Sequence, residues 1–455
     1  MITTQSQTLE PHLVIIGSGW AGFYLAENIN LSSYNVTLIS PRRTSAYTPL
    51  LASAAVGLFN FYLAEEPVRS ASRCDLNFVK ANVLNIDFTQ KICQCTPAFE
   101  EDPGLEKIQF EIAYDYLVIA PGCIPNTFGT PGVDEYAIFI KNVSDAMRVR
   151  KTLFDLLEKA SLPCVSTERA KELLHIAIVG GGPTGIELTA ELDDLCQNEL
   201  RKLYPRVAEH VTISIYDVAP HILSAYDAKL HDYATSQLKA RNVDVAPNTR
   251  IEKVDGQALY IKDKGRVPYG MLIWATGNKH VPLIENLDVK INEKGLKRIL
   301  TDDKLRVFRK LDATTANPSS PSPGVWDGVF SLGDAADIEG QSLPTTAEVA
   351  VQKAKYLVEN FNALAASASA SASSSSSSSF AKPFIYTQKQ LVSYIGHHDG
   401  VIAGKGPNDS GWTGRSAWLA WRSGSLIWNR NWRSRVVIVI TWALNRVFGT
   451  EMARM

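Results

Sequence analysis

The sequence lacks a cysteine framework. Its six cysteines are Cys74, Cys93, Cys95, Cys123, Cys164 and Cys196, and their spacing matches neither a disulfide scaffold nor a zinc site. Only Cys93 and Cys95 stand close together, and they read as plain strand residues rather than as a metal or redox pair. No metal is expected, and a reducing compartment fits best. A long apolar run is also missing, since none reaches the roughly 18 residues of a membrane span. Charge of one sign is absent too. The 46 basic and 47 acidic residues leave a net charge of −1, so nothing in the bulk electrostatics points to a nucleic-acid partner. Met1 to Glu10 contains no Lys or Arg and no apolar centre. It therefore reads as neither a secretory signal nor an Arg-rich mitochondrial presequence.

A chain of 455 residues exceeds what one hydrophobic core usually holds, so two or three domains are expected. The first strong element is the apolar run Leu13 to Ile16, which suits a buried parallel strand. It leads into Gly17-Ser18-Gly19-Trp20-Ala21-Gly22, a helix-like stretch and a second strand, Val36 to Ile39. A further run, Tyr116 to Ala120, ends at Pro121-Gly122. The plan then restarts. Ile176 to Val179 precedes Gly180-Gly181-Gly182-Pro183-Thr184-Gly185, a helix and the strand Val211 to Tyr216, while Leu272 to Ala275 ends in Thr276-Gly277. The strand Val329 to Leu332 runs into Gly333-Asp334. Asn317 to Gly324 and the Ala/Ser tract Ala365 to Ser379 cannot bury enough apolar surface to order themselves.

Each G-x-G-x-x-G follows a strand and opens a helix, the setting in which this motif is informative. The first glycine permits a tight turn, the second admits a pyrophosphate, and the third lets helix and strand pack closely. The helix N-terminus adds free N–H groups and a favourable dipole. Two such units, about 160 residues apart, predict two dinucleotides, one of them FAD and the other NADH. In the second unit Asp217 ends the strand with no basic neighbour, which favours a free ribose 2′-hydroxyl and hence NADH over NADPH. The first unit ends in Ser40-Pro41-Arg42 instead. Ser40 can meet a ribose hydroxyl and Arg42 an adenine or phosphate. Asp334 suits the ribityl chain or pyrophosphate of FAD, its plain alternative being a helix cap.

Disulfide-reducing flavoproteins need a C-x₄-C or C-x-x-C pair beside the flavin. Thr44 to Pro67 has no cysteine, and the second unit has only Cys196. Electrons must leave the flavin by another route. Six of nine tryptophans (Trp412, Trp418, Trp421, Trp428, Trp432 and Trp442) lie in Gly411 to Met455 with seven arginines, Glu451 being the only acid. Trp and Arg together suit a helix lying in a lipid headgroup layer; the plain alternative is a core-docking or dimer helix.

These residues resemble the type II (alternative) NADH:quinone dehydrogenases, especially the mitochondrial members of fungi and plants. The resemblance runs from Leu13 to about Arg454. It rests on Ser40-Pro41-Arg42, on Thr48 to Ser53 with Val56-Gly57, on Val179 to Glu187, on Leu332 to Ala335 and on Leu343 to Ala347. It implies one non-covalent FAD, NADH as donor, a quinone such as ubiquinone as acceptor, and no proton pumping. It also implies a peripheral site on the mitochondrial inner membrane and a homodimer through the C-terminal region. FAD is assigned to Gly17, Gly19, Gly22, Ser40, Arg42 and Asp334, and NADH to Gly180, Gly182, Gly185, Asp217, Thr276 and Gly277. Trp20, Ala21, Pro41, Thr48, Val83, Ala120, Gly122, Pro183, Thr184 and Ala347 complete the cofactor-binding set. Glu187 would lie near flavin and nicotinamide, unless it is a surface helix carboxylate.

The family's quinone motif, Ala-Gln-x-x-x-Gln, reads here Ala347-Glu348-Val349-Ala350-Val351-Gln352. Residues four apart share a helix face, so Glu348 and Gln352 can still flank a quinone ring. A carboxylate there needs a partner or a raised pKa, and Lys353 points elsewhere. The expected fold is α/β, with two Rossmann-like domains of glutathione-reductase type and a C-terminal membrane-associating helical module. FAD takes residues 11–145 and 291–364, NADH takes 146–290, 365–379 is a linker, and 380–455 is the C-terminal module. Three other readings stand beside this one: an apoptosis-inducing-factor-like oxidoreductase, a soluble reductase for an iron–sulfur protein, and a membrane-associated flavoprotein that senses NADH.

Overall fold

The computed structural model describes residues 10–449, apart from 71–73, 100, 103, 294, 311–323, 371–379, 381 and 405–410. All but Glu10 of the N-terminal stretch read for targeting signals, nearly all of the Pro/Ser stretch, Glu451 and Arg454 lie outside the described residues, as does 371–379 of the Ala/Ser tract. The chain forms two compact units.

The first unit comprises Met1–Ser45, Pro67–Ile124 and Asn278–Thr387. Its ten-stranded sheet is centred on His12–Ile16. That strand pairs in parallel with Asn35–Ser40 on one side and Tyr116–Ile119 on the other. Val325–Ser331 and Asn77–Asp87 extend the parallel array, and Ile92–Pro97 and Phe110–Ala113 continue it as an antiparallel meander. The central strand's run Leu13 to Ile16 is apolar at every position because both faces are covered. Leu13 and Ile15 join Phe23, Leu38, Phe330 and Phe361 in one core, while Val14 and Ile16 join Ile39, Leu117 and Ile119 in another. Cys93 and Cys95 both lie in this second core, two residues apart on one face of their strand. Burial pushes both thiols up, Cys95 to about 11, so they are inert strand residues. Helices Trp20–Asn28 and Ala347–Ala370 pack against one another. The second runs through Ala365–Ala370 of the tract expected to be a linker, because alanine extends a nucleated helix at little cost.

The second unit comprises Ala46–Glu66, Pro125–Gly277 and Gln388–Met455. Its five-stranded sheet is all parallel, in the order Ile138–Phe139, Met271–Trp274, His175–Val179, Thr212–Tyr216 and Asp244–Ala246. A three-stranded antiparallel sheet over 251–268 shares a core with it through Ile251, Leu259, Leu272 and Trp274. Boundaries expected at 145 and 290 fall at 124 and 277. Pairing of Ile138–Phe139 with Met271–Trp274 draws the first into this unit. Leu283 and Ile284 bury themselves in the first unit's second core instead. The C-terminal stretch is not a module of its own. Strands Val392–Gly396 and Asp399–Ile402 place Ile395 and Val401 in one core with Ile186, Ile215 and Leu230.

Candidate cofactor sites

The two glycine turns are built alike. Gly17 N–H donates to Ile39 O at 2.8 Å, and Gly180 N–H to Tyr216 O at 2.8 Å. Both first glycines have positive φ, +101° and +119°, where L side chains are strained. A Cβ on either third glycine, Gly22 or Gly185, would lie 2.0 Å from the carbonyl oxygen of the first, so helix and strand approach as only glycine allows. A Cβ on either middle glycine, Gly19 or Gly182, meets nothing within 4 Å. Open space faces the backbone there, at the start of helices Trp20–Asn28 and Pro183–Leu195. This is the cradle a pyrophosphate needs, and it occurs twice. Trp20 and Ala21 begin the first helix; Pro183 fills the first position of the second, where its missing N–H costs nothing, with Thr184 next to it.

In the first unit, Ser40 is buried and its Oγ lies 2.8 Å from Ser18 Oγ while accepting from Arg42 N at 3.3 Å. Its hydroxyl therefore ties the phosphate turn to the strand end and leaves Pro41 and Arg42 exposed. Gly333, at φ +75°, brings its backbone against Ala21, so that a Cβ would lie 3.3 Å from Ala21 Cβ. That approach sets Asp334 beside the phosphate turn, where its Oδ2 accepts from Cys123 Sγ at 3.2 Å. Ala120 packs under Gly17, Gly122 (φ +74°) faces open space, and Val83 lies three residues past Lys80, the partner of Ser40. These positions share the carboxyl edge of the parallel strands, where ligands of open α/β sheets bind.

Ala347 opens the helix carrying the altered quinone motif. Gln352 Nε2 donates to Glu348 Oε1 at 2.6 Å and to Thr387 O at 2.9 Å, and its Oε1 accepts from Thr387 N at 3.0 Å. The carboxylate thus finds its partner one turn along the same helix. Lys353 does point elsewhere: it is fully buried and its Nζ donates to Ala336 O at 3.2 Å. Burial lowers its pKa to about 8, despite Asp337 and Asp334 nearby.

In the second unit, Asp217 ends its strand with both oxygens engaged, accepting from Gly181 N at 2.5 Å and Ala219 N at 2.8 Å. Thr276 and Gly277 follow strand Met271–Trp274, which lies on the other side of His175–Val179, with Gly277 at φ +73°. Thr48, expected among the cofactor contacts, opens a short 3₁₀ turn of this unit and is exposed. Glu187 is no solvated surface carboxylate. Its Oε1 accepts from Trp421 Nε1 at 3.1 Å and Tyr394 N at 3.4 Å. One turn on, buried Glu191 accepts from Ser53 Oγ at 2.7 Å. Burial pushes Glu187 up to about 8 and Glu191 up to about 7, even though these hydrogen bonds and, for Glu191, nearby Arg422 and Arg241 pull the other way. The spacing of Glu187, Glu191 and Asp194 on one helix face was legible in the sequence. Its enclosure by Tyr394 and Trp421, two hundred residues later, was not.

The family described as pyridine nucleotide-disulphide oxidoreductase matches residues 11–354. A protein of Dictyostelium discoideum described as a probable NADH dehydrogenase is 33% identical over 445 residues, covering 97% of this chain and 90% of its own. The chain belongs to the type II, or alternative, NADH dehydrogenase family. An internal alternative NAD(P)H-ubiquinone oxidoreductase of Solanum tuberosum mitochondria is 32% identical, covering 98% of this chain and 88% of the potato protein. Among solved structures, NDH2 from Plasmodium falciparum in complex with NADH superimposes with a TM-score of 0.84 at 26% identity, over 98% of this chain and 100% of that one. The resemblance read from the motifs is therefore borne out. As a type II dehydrogenase the chain carries the two-dinucleotide fold, and among the described residues no disulfide joins its cysteines.

Proposed function

We propose that this chain is an FAD-dependent NADH:quinone oxidoreductase that pumps no protons. The observation that carries the reading is the repeated glycine turn, whose middle glycine faces open space in both units. In the first unit, Gly17, Gly19 and Gly22, with Arg42 and Asp334, hold FAD. In the second, Gly180, Gly182 and Gly185, with Asp217, hold NADH. FAD held there would supply the chemistry that takes up hydride and releases electrons singly or in pairs. The protein supplies the turns, the helix dipoles and a carboxyl, Glu187, that burial pushes up to about 8. The balance is NADH, a proton and quinone going to NAD⁺ and quinol, with Glu348 and Gln352 flanking the quinone.

The C-terminal helices support a membrane surface as the source of quinone. Along Trp432–Phe448 the exposed residues Trp432 (73%), Val436 (51%), Ile440 (51%), Leu444 (50%) and Val447 (73%) recur at helical spacing. A helix that turns its apolar stripe outward, with Arg433 and Arg446 beside it, fits the headgroup layer. Among the described residues no helix is long and apolar enough to cross a membrane. The mitochondrial relatives support a mitochondrial location; the proposed surface is the inner membrane, and a homodimer would form through the same C-terminal region. Natively purified protein is expected to be yellow, to oxidise NADH with a short-chain quinone and to float with liposomes. A preparation without flavin would sink the enzyme reading, and failure to float would remove the membrane.

A further inference from the structure

Phe128 is in a place where phenylalanine does not belong. It is the second residue of the turn Thr127–Thr130, closed by Thr130 N–H donating to Thr127 O at 2.9 Å. Phe128 and Gly129 both have positive φ, 53° and 70°, the pattern of a turn that prefers Asn, Asp or Gly at both central positions. A bulky residue with this backbone is an outlier, and such strain gathers at functional sites. The side chain gains little packing in return, since Phe128 is 63% exposed.

What the turn achieves is placement of the ring. Asn126 Oδ1 accepts from Phe128 N at 2.9 Å, Asn126 N donates to Gly277 O at 3.3 Å, and Trp274 Nε1 donates to Asn126 O at 3.0 Å. The turn is thereby bolted to the end of strand Met271–Trp274. The ring lies on Gly277 so closely that a Cβ there would come within 2.5 Å of Phe128 Cζ. Most of the residue's surface stays open to solvent.

Sheet order says what passes over it. His175–Val179, which leads into the phosphate turn, lies between Thr212–Tyr216, which ends at Asp217, and Met271–Trp274, which ends at Gly277. A dinucleotide with its pyrophosphate on Gly180–Gly185 and its adenosine ribose at Asp217 must carry its other half toward Gly277. We propose that Phe128 is a binding residue for the nicotinamide half of NADH, its ring offering the heterocycle an aromatic platform. The proposal rests on the assignment of the second unit to NADH.

Asparagine tolerates the left-handed backbone, so Phe128→Asn separates ring from fold. NAD⁺ titrated into the FAD-loaded protein is expected to bind this variant about three- to tenfold more weakly, the scale of an aromatic contact. FAD content should stay the same and thermal stability should stay level or rise, while Phe128→Tyr keeps the affinity. Unchanged NAD⁺ affinity in Phe128→Asn, or a lowered melting temperature, would overturn the proposal and make the ring a packing element. Failure of the unsubstituted protein to bind NAD⁺ would instead overturn the assignment of the second unit.

Discussion

Glu187 and Glu191 stand one turn apart on the helix Pro183–Leu195, and burial raises both carboxyls well above their ordinary range. Their ordinary value is 4.5, and the folded values are about 8 and about 7. Between 4.5 and these values the folded state binds more protons than the unfolded one. Stability contributed here is therefore present at low pH and lost as pH rises through the folded values. Glu191→Gln removes one titration while keeping an acceptor for Ser53. Thermal midpoints measured from pH 5 to pH 9 should fall less steeply in the variant than in the parent. Parallel curves would show that Glu191 does not titrate in this window.

The glycine turns separate folding from cofactor binding. Gly22→Ala pushes a methyl into Gly17 O, and overpacking of this kind costs about 1–3 kcal/mol or more. Gly19→Ala meets no protein atom within 4 Å, so the fold should change by no more than about 0.5 kcal/mol, yet FAD should be lost. The same contrast holds for NADH with Gly185→Ala and Gly182→Ala. Flavin content and denaturant midpoints read both effects. Full flavin content in Gly19→Ala would contradict the phosphate cradle.

Glu348 departs from the family's glutamine, and its Oε1 already accepts from Gln352. Glu348→Gln retains that acceptor and removes a charge. Quinone turnover is expected to stay within about tenfold of the parent, because only about 1 kcal/mol separates a charge-assisted hydrogen bond from a neutral one of this kind. A gain of a hundredfold would show that the native carboxylate impairs quinone reduction, and would favour an NADH-sensing role.

The glycine turns, the apolar strands and Asp217 were legible in the sequence, because each depends on residues close together in the chain. Ser40 was legible as a residue, but its protein partners were not. Its hydroxyl closes on Ser18 and the Arg42 backbone, a contact that needs two strand ends brought together. The enclosure of Glu187, the place of Thr48 and the docking of the C-terminal strands on Ile186 and Leu230 arise from pairs far apart in sequence. Local pattern carries no signal for these. The Ala/Ser tract misled because low complexity hides high helix propensity, as Ala365–Ala370 shows.

The central claim is a relay from NADH through FAD to quinone. It is tested most directly by anaerobic titration of the natively purified protein, first with NADH and then with ubiquinone, while the flavin absorbance band is followed. The account predicts that one equivalent of NADH bleaches the band and one equivalent of ubiquinone restores it. A band that NADH leaves untouched, or that stays bleached when ubiquinone is added, would contradict it.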